Sequence, residues 1–221
     1  SFPSPYEFQY TFDQLAAIME NFIEARRLDP FIVMIQDYGA PIGLRIASKH
    51  PEWIKGLVIQ NGNAYEEGLD KKGWGIIFDY WKNKSPTLEK QIIANVFSLE
   101  GLRWQYTHGT RHPESILPDC WNLDYMKINR EGQHRVQLDL FYDYQNNLKH
   151  YPEWHQYFRT HQPPALLVWG KNDPFFALPG AEAYKRDLKH IDYNILDTGH
   201  FALEEDAPFI IEKMRQFITQ T

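Results

Sequence analysis

Apolar and polar positions along this chain change rhythm three times. Between residues 11 and 27, Leu15, Ile18, Met19, Phe22 and Ile23 recur at the three- and four-residue spacing of one helix face. Thr11 and Gln14 stand at capping-box spacing ahead of them, so a helix is expected to begin there. Phe31 to Gln36 is then an almost unbroken apolar run, too short for a helix. It reads as a strand buried on both faces. After the turn Asp37 to Gly39, a second helix is expected over 41–49. Gly56 to Gln60 reads as another buried strand, closed by Asn61-Gly62-Asn63.

Residues 64 to 162 are different. They carry helical patterning in pieces, many aromatics, and breaks at Gly73, Gly101, Pro113, Pro118 and Gly132, with no clear strand. Beyond Pro163-Pro164 the alternation returns: strand 165–170, helix 180–189, strand 192–196, helix 207–219. Strands alternating with helices imply a mostly parallel sheet covered on both faces. The fold class is therefore α/β. Its core is expected in two parts, 1–63 and 163–221, with a helical lid, 64–162, inserted between them.

Composition changes this picture little. Hydrophobic residues make up 43% of the 221, enough for a substantial core. A net charge of −6 without a Lys/Arg stripe gives no reason to expect nucleic acid. The apolar runs are far shorter than the ~20 residues that cross a bilayer, so no membrane partner is expected. Cys120 is the only cysteine, which rules out an intrachain disulfide and fits a cytoplasmic location.

Three positions sit just past the C-terminal ends of expected strands, the edge where open α/β sheets bind ligands. Asp37, in Gln36-Asp37-Tyr38-Gly39-Ala40, occupies the strand-to-helix turn of a nucleophile elbow, with Gly39 and Ala40 small where strand and helix approach. Asp173 ends Trp169-Gly170-Lys171-Asn172-Asp173, and His200 ends Asp197-Thr198-Gly199-His200. Singly, each has a structural explanation: a helix cap, a turn residue before Pro174, an incidental loop histidine. Together they follow the chain order nucleophile, acid, base.

On these motifs the chain resembles α/β-hydrolases of the epoxide hydrolase and haloalkane dehalogenase group, over essentially its whole length. The resemblance implies an α/β-hydrolase fold with a lid and an Asp-His-Asp triad. Asp37 would form an alkyl ester with sp³ carbon, His200 would activate water, Asp173 would orient it, and the Tyr38 N–H would serve the oxyanion. No Gly-x-Ser-x-Gly occurs, so a serine esterase is not expected. In Phe141-Tyr142-Asp143-Tyr144, Tyr144 matches best the lid tyrosine that protonates an opening epoxide, with packing as its other reading. Gln36 before the nucleophile resembles dehalogenases. Tyr38 stands where both groups commonly carry the Trp that, in dehalogenases, helps hold halide.

Epoxide hydrolysis is thus expected ahead of haloalkane dehalogenation, with a non-catalytic hydrolase-fold binding protein as a third reading. The substrate is expected to be a small apolar organic molecule held by Gln36, Trp74, Tyr80, Trp81 and Phe141. Phe78, Trp104 and Trp121 are further lid aromatics available to line a pocket. No cofactor or metal is expected, and Gly109 between His108 and His112 weighs against a helical metal pair. Complete family members carry further strands and a His-Gly-type oxyanion motif ahead of the first helix seen here. The resemblance therefore implies a natural chain longer at its N-terminus, with the 31–36 strand at an edge and low stability and activity without that part.

Overall fold

The computed structural model describes residues 3–221. Strands β1 (Phe31–Gln36), β2 (Ile54–Gln60), β3 (Ala165–Gly170) and β4 (Ile191–Leu196) form one sheet in that order, each neighbouring pair parallel. Among the described residues β1 pairs with β2 alone, which leaves it at the edge with Met34 exposed.

Successive side chains alternate across a strand, so the sheet sorts its apolar residues onto two faces. Leu57, Ile59, Ala165, Leu167 and Trp169 join the larger core with Leu44 of α2 (Gly39–Lys49), Trp154 of α8 (Asn147–His161) and Tyr184 of α9 (Leu178–Asp187). Val58, Leu166 and Val168 turn the other way, under Ala202, Ile210 and Phe217 of α10 (Ala202–Gln220). The close approach of α2 to β1 falls at Gly43, where a Cβ would come within 2.6 Å of Ile35 Cγ2. At Gly39 an added Cβ meets nothing within 4 Å, so its smallness is not set by that approach.

Helix α1 (Phe12–Arg26) begins as its cap foretold, with Thr11 Oγ1 accepting from the Gln14 N–H at 3.2 Å. Its buried face is not the expected one. Phe12, Ala16 and Ile23 are buried, whereas Ile18, Met19 and Phe22 are exposed. The first turn fixes the rotation. The Phe12 N–H donates to Asp143 Oδ2 at 2.8 Å and Asp13 pairs with Arg45 of α2 at 2.7 Å, so Phe12 is drawn inward.

The middle of the chain is helical as expected: α3 (Lys71–Lys82), α4 (Pro86–Val96), α5 (Leu99–Thr107), α6 (Asp119–Ile128), α7 (Gln133–Asp143) and then α8. Gly73 and Gly101 lie in first turns rather than between helices, their N–H groups capped by Asp70 and Ser98. Gly73 answers a packing need, since a Cβ there would come 1.9 Å from the Pro174 carbonyl oxygen. Helix α10 starts five residues earlier than expected, because a kink at Asp206 joins a short first segment to the amphipathic part. Among the described residues no helix is long and apolar enough to cross a membrane.

Candidate active site

The C-terminal ends of β1, β2, β3 and β4 deliver Asp37, Asn61, Asp173 and His200 to one edge of the sheet. Asp37 has φ 47° and Asn61 φ 44°, in the left-handed region where Asp and Asn are several-fold enriched over other non-glycine residues. Such a conformation costs on the order of 1–3 kcal/mol and persists only where the surroundings enforce it. The enforcement is visible here: the Asp37 N–H donates to the Asn61 carbonyl at 3.3 Å, and Asp37 O accepts from the Ala40 N–H at 3.0 Å.

His200 lies between two carboxylates. Its Nε2 is 2.9 Å from Asp37 Oδ2 and its Nδ1 is 2.8 Å from Asp173 Oδ2. The side chains of His200 and Asp173 are 1% and 0% exposed, while Asp37 is 34% exposed and faces the cavity. Every Asp173 oxygen is held. Oδ2 also accepts from Asn61 Nδ2 at 2.7 Å, and Oδ1 from the N–H groups of Phe175 and Phe176 at 2.7 and 3.1 Å. Gln60 Nε2 donates to the His200 carbonyl at 2.9 Å, and Gln36 Nε2 lies 3.3 Å from His200 Nε2. Asp37 Oδ1, by contrast, has no hydrogen-bond partner among the described residues.

Burial by itself lowers the His200 pKa, but Asp173 first and Asp37 second outweigh it and bring it up to about 10. With both carboxylates charged, His200 is an imidazolium near neutral pH. Neutralising Asp37 would remove one of the two charges that hold its proton.

Above Asp37 lies a cavity of about 540 Å³, within the range that encloses a drug-sized molecule. Tyr38, Trp74, Phe97, Phe141, Phe175 and Phe176 line its inner part. Trp74 and Phe141 thus stand where expected. The Trp74 indole N–H is already committed to the Phe175 carbonyl at 2.6 Å. Tyr144 is fully buried with its ring against Tyr38, Trp74 and Phe176. Its hydroxyl has no hydrogen-bond partner of ordinary geometry. Burial first, then Tyr151 and the charge of Asp37, hold its pKa well above the usual phenol value.

Three expected pocket residues, Gln36, Tyr80 and Trp81, do not line the cavity, and Tyr144 lies behind its wall; Gln36 is held beside His200 instead. Tyr80 is fully buried, its hydroxyl donating to Glu89 at 2.7 Å and accepting from Arg135, so it serves the packing of α3, α4 and α7. Trp81 stands behind Trp74 and Phe78, its N–H bound to the Phe141 carbonyl at 2.7 Å. Trp121 belongs to a separate cluster with Leu102, Tyr106 and Ile116, and Trp104 is exposed. His108 lies against Trp104 with the rings tilted, and His112 lies beside Glu114; among the described residues no cluster of His, Cys, Asp or Glu could hold a metal ion.

Sequence reading overlooked Gln60 and Asn61. They form a polar pair ending an otherwise apolar strand next to β3, and that position at the ligand-binding edge was the available signal. It also overlooked a strap, residues 108–112, that ties the lid to the loops carrying Asp173 and His200. A Cβ on Gly199 would come 2.1 Å from the His108 carbonyl oxygen, and Asn172 Nδ2 donates to the Gly109 carbonyl at 2.8 Å. Arg111 donates to the Asp197 carbonyl at 2.7 Å and forks onto Asp206. The side chain of Glu205, 4% exposed, accepts from the N–H groups of Arg111 and His112 at 3.1 and 2.8 Å.

Known proteins share this fold. An uncharacterized hydrolase of Saccharomyces cerevisiae, YNR064C, is 40% identical over 213 residues, covering 96% of this chain and 73% of that protein. Haloalkane dehalogenase 2 of Mycobacterium tuberculosis is 24% identical over 213 residues, 92% of this chain and 69% of that one. Among solved structures, the haloalkane dehalogenase DatA from Agrobacterium tumefaciens superposes with a TM-score of 0.74 at 17% identity, over 100% of this chain and 76% of that one. The epoxide hydrolase CorEH gives 0.72 at 15%, over 96% and 76%. A family model described as alpha/beta hydrolase fold matches residues 1–207. The chain belongs to the α/β-hydrolase fold family and is a hydrolase of that type.

Proposed function

We propose that this hydrolase opens epoxides to diols through a covalent ester on Asp37. The observation that carries the reading is the carboxylate at the elbow, 2.9 Å from a buried histidine that a second carboxylate orients. A carboxylate is already ionised near neutral pH, with a reference pKa of ~3.9, so it needs no base to become a nucleophile. It is suited to displacement at sp³ carbon.

In the first step Asp37 Oδ1 bonds to an epoxide carbon, the ring C–O bond breaks, and the oxygen takes the Tyr144 proton. Loss of the Asp37 charge lowers the His200 pKa, and His200 returns a proton to the Tyr144 phenolate. Neutral His200 then removes a proton from water as the water attacks the ester carbonyl. The Tyr38 N–H stabilises the oxygen charge that develops there. Collapse releases the diol, restores the Asp37 carboxylate and leaves His200 protonated, as it began. The net reaction is epoxide plus water to diol.

The choice of epoxide over haloalkane rests on the donors near Asp37. A departing halide is served by indole N–H groups, and the Trp74 N–H is bound to a main-chain carbonyl, while Tyr38 replaces the usual Trp. An opening epoxide needs a hydroxyl to donate a proton, and the Tyr144 hydroxyl, whose polar neighbour is Tyr151, is within electrostatic reach of Asp37. Incubation with styrene oxide and, separately, 1-bromohexane tests this. Diol from the first without bromide from the second is expected; bromide release without diol would overturn it in favour of dehalogenation.

A further inference from the structure

The cavity is not apolar throughout. Near Asp37 its walls are aromatic, but the far side, on α5, α6, α7 and the α6–α7 turn, presents Gln105, Asp124, Lys127, Arg130, Gln133 and Gln137. These polar residues are not equally available to a ligand. The Asp124 carboxylate accepts from the Tyr106 hydroxyl at 2.7 Å, and the Gln105 amide donates to the Val96 carbonyl at 2.9 Å. The side chains of Lys127, Gln133 and Gln137 make no hydrogen bond or ion pair with any described residue. What the lid offers to a ligand is therefore an ammonium and two amides; Arg130 is on the same wall, with its Nε donating to the Lys127 carbonyl at 3.2 Å.

We infer that this wall is a subsite for the carboxylate end of an amphipathic substrate. The inference rests on the epoxide-hydrolase reading only for what happens at the other end of the molecule. The apolar body of such a substrate would lie along Trp74, Phe97 and Phe141, with the reacting carbon at Asp37. Lysine and arginine are donors only, so they favour an acceptor-only group over a hydroxyl or amine. The lining carboxylate of Asp124 has an internal donor already, which reduces its competition for the Lys127 ammonium. The position at the mouth matters as well: Lys127 and Arg130 are exposed, so a bound carboxylate keeps part of its hydration while the apolar body is buried. An uncharged substrate of the same shape would gain the aromatic contacts alone.

Binding of non-reactive probes separates this subsite from the chemistry. Calorimetric titration at low ionic strength with 4-phenylbutyrate, 4-phenylbutyramide and 4-phenylbutylamine would be carried out on the parent chain, on Lys127→Gln and on Lys127→Glu. The single site of change is exposed, and thermal melting checks that each variant folds. The parent is expected to bind the acid at least fivefold more tightly than the amide, with the difference shrinking as salt is raised. Lys127→Gln should reduce that preference severalfold and leave amide affinity unchanged, and Lys127→Glu should reverse it towards the amine. Equal affinity for acid and amide, absence of binding by either, or a preference unaltered in both variants overturns the subsite. Styrene oxide turnover, measured alongside, reports on the epoxide-hydrolase reading alone: turnover without acid preference refutes the subsite, and acid preference without turnover refutes the reaction.

Discussion

Asp37 and Asn61 take the same left-handed backbone conformation at the ends of neighbouring parallel strands, and the N–H of the first donates to the carbonyl of the second. The pairing turns both chains sharply at one level of the sheet. It lifts the Asp37 carboxylate towards His200 and aims the Asn61 amide at Asp173. Two residues that sequence reading treated separately, a candidate nucleophile and a turn residue, form one device.

Asn61→Leu should expose how much that device contributes. It removes the amide donor from a fully buried carboxylate and puts a branched side chain into a left-handed position. The combination is expected to lower stability by about 2–4 kcal/mol, read from urea unfolding. A change below about 0.5 kcal/mol would mean that Asn61 neither holds Asp173 nor supports the elbow.

Tyr144→Phe separates chemistry from packing. The hydroxyl is buried and makes no hydrogen bond of ordinary geometry, Tyr151 being its polar neighbour, so its removal should change the melting temperature little. If it donates the proton that the epoxide oxygen takes, kcat for styrene oxide should fall by about 10²–10⁴. A variant that melts lower yet turns over at the parent rate would assign Tyr144 to packing.

The charge on Asp37 should be legible in His200. With the parent pKa at about 10, a histidine-labelled NMR titration should show the His200 ring protonated at neutral pH. In Asp37→Asn the pKa should fall, though Asp173 still holds it up. Because the folded pKa is raised above the ordinary value of 6.5, this group stabilises the fold fully below about pH 6.5. That stabilisation is lost as pH rises through about 10. The variant should therefore show a flatter loss of stability across that window; identical profiles for both chains would contradict the coupling.

Glu205 predicts the opposite slope. Burial raises its pKa, but Thr198 and the strap amides of Arg111 and His112 outweigh this and hold it below 4.5. Its contribution is present above that value and is lost as pH falls through the lowered one. Glu205→Ala should cost about 1–3 kcal/mol at pH 7 and little in strong acid, measured by denaturant unfolding at both. An equal cost at both pH values would show that the carboxylate charge does not hold the strap.

That Asp37, Asp173 and His200 converge was legible in the sequence because each lies just past a strand end, a local pattern that survives without knowledge of tertiary contacts. The four parallel strands and the helical middle of the chain were readable for the same reason. Lid aromatics were not separable: Trp74 and Trp81 lie two turns apart on one helix, yet only the first reaches the cavity, because α7 covers the second. The rotation of α1 was misread because an anchor from Asp143, 131 residues away, decides it. The strap was invisible since its contacts join residues far apart in the chain: Gly109 with Asn172, His108 with Gly199, and Arg111 with Asp206.

The central claim is that Asp37 becomes esterified, and trapping the ester measures it directly. His200→Gln, incubated with styrene oxide and analysed by intact mass and peptide mapping, removes the base for the second step while leaving the nucleophile. A stoichiometric adduct on the peptide carrying Asp37 is the expected result, absent when Asp37→Asn is added. A cooperatively folded His200→Gln chain that remains unlabelled, or that is labelled elsewhere, would contradict nucleophilic attack by Asp37.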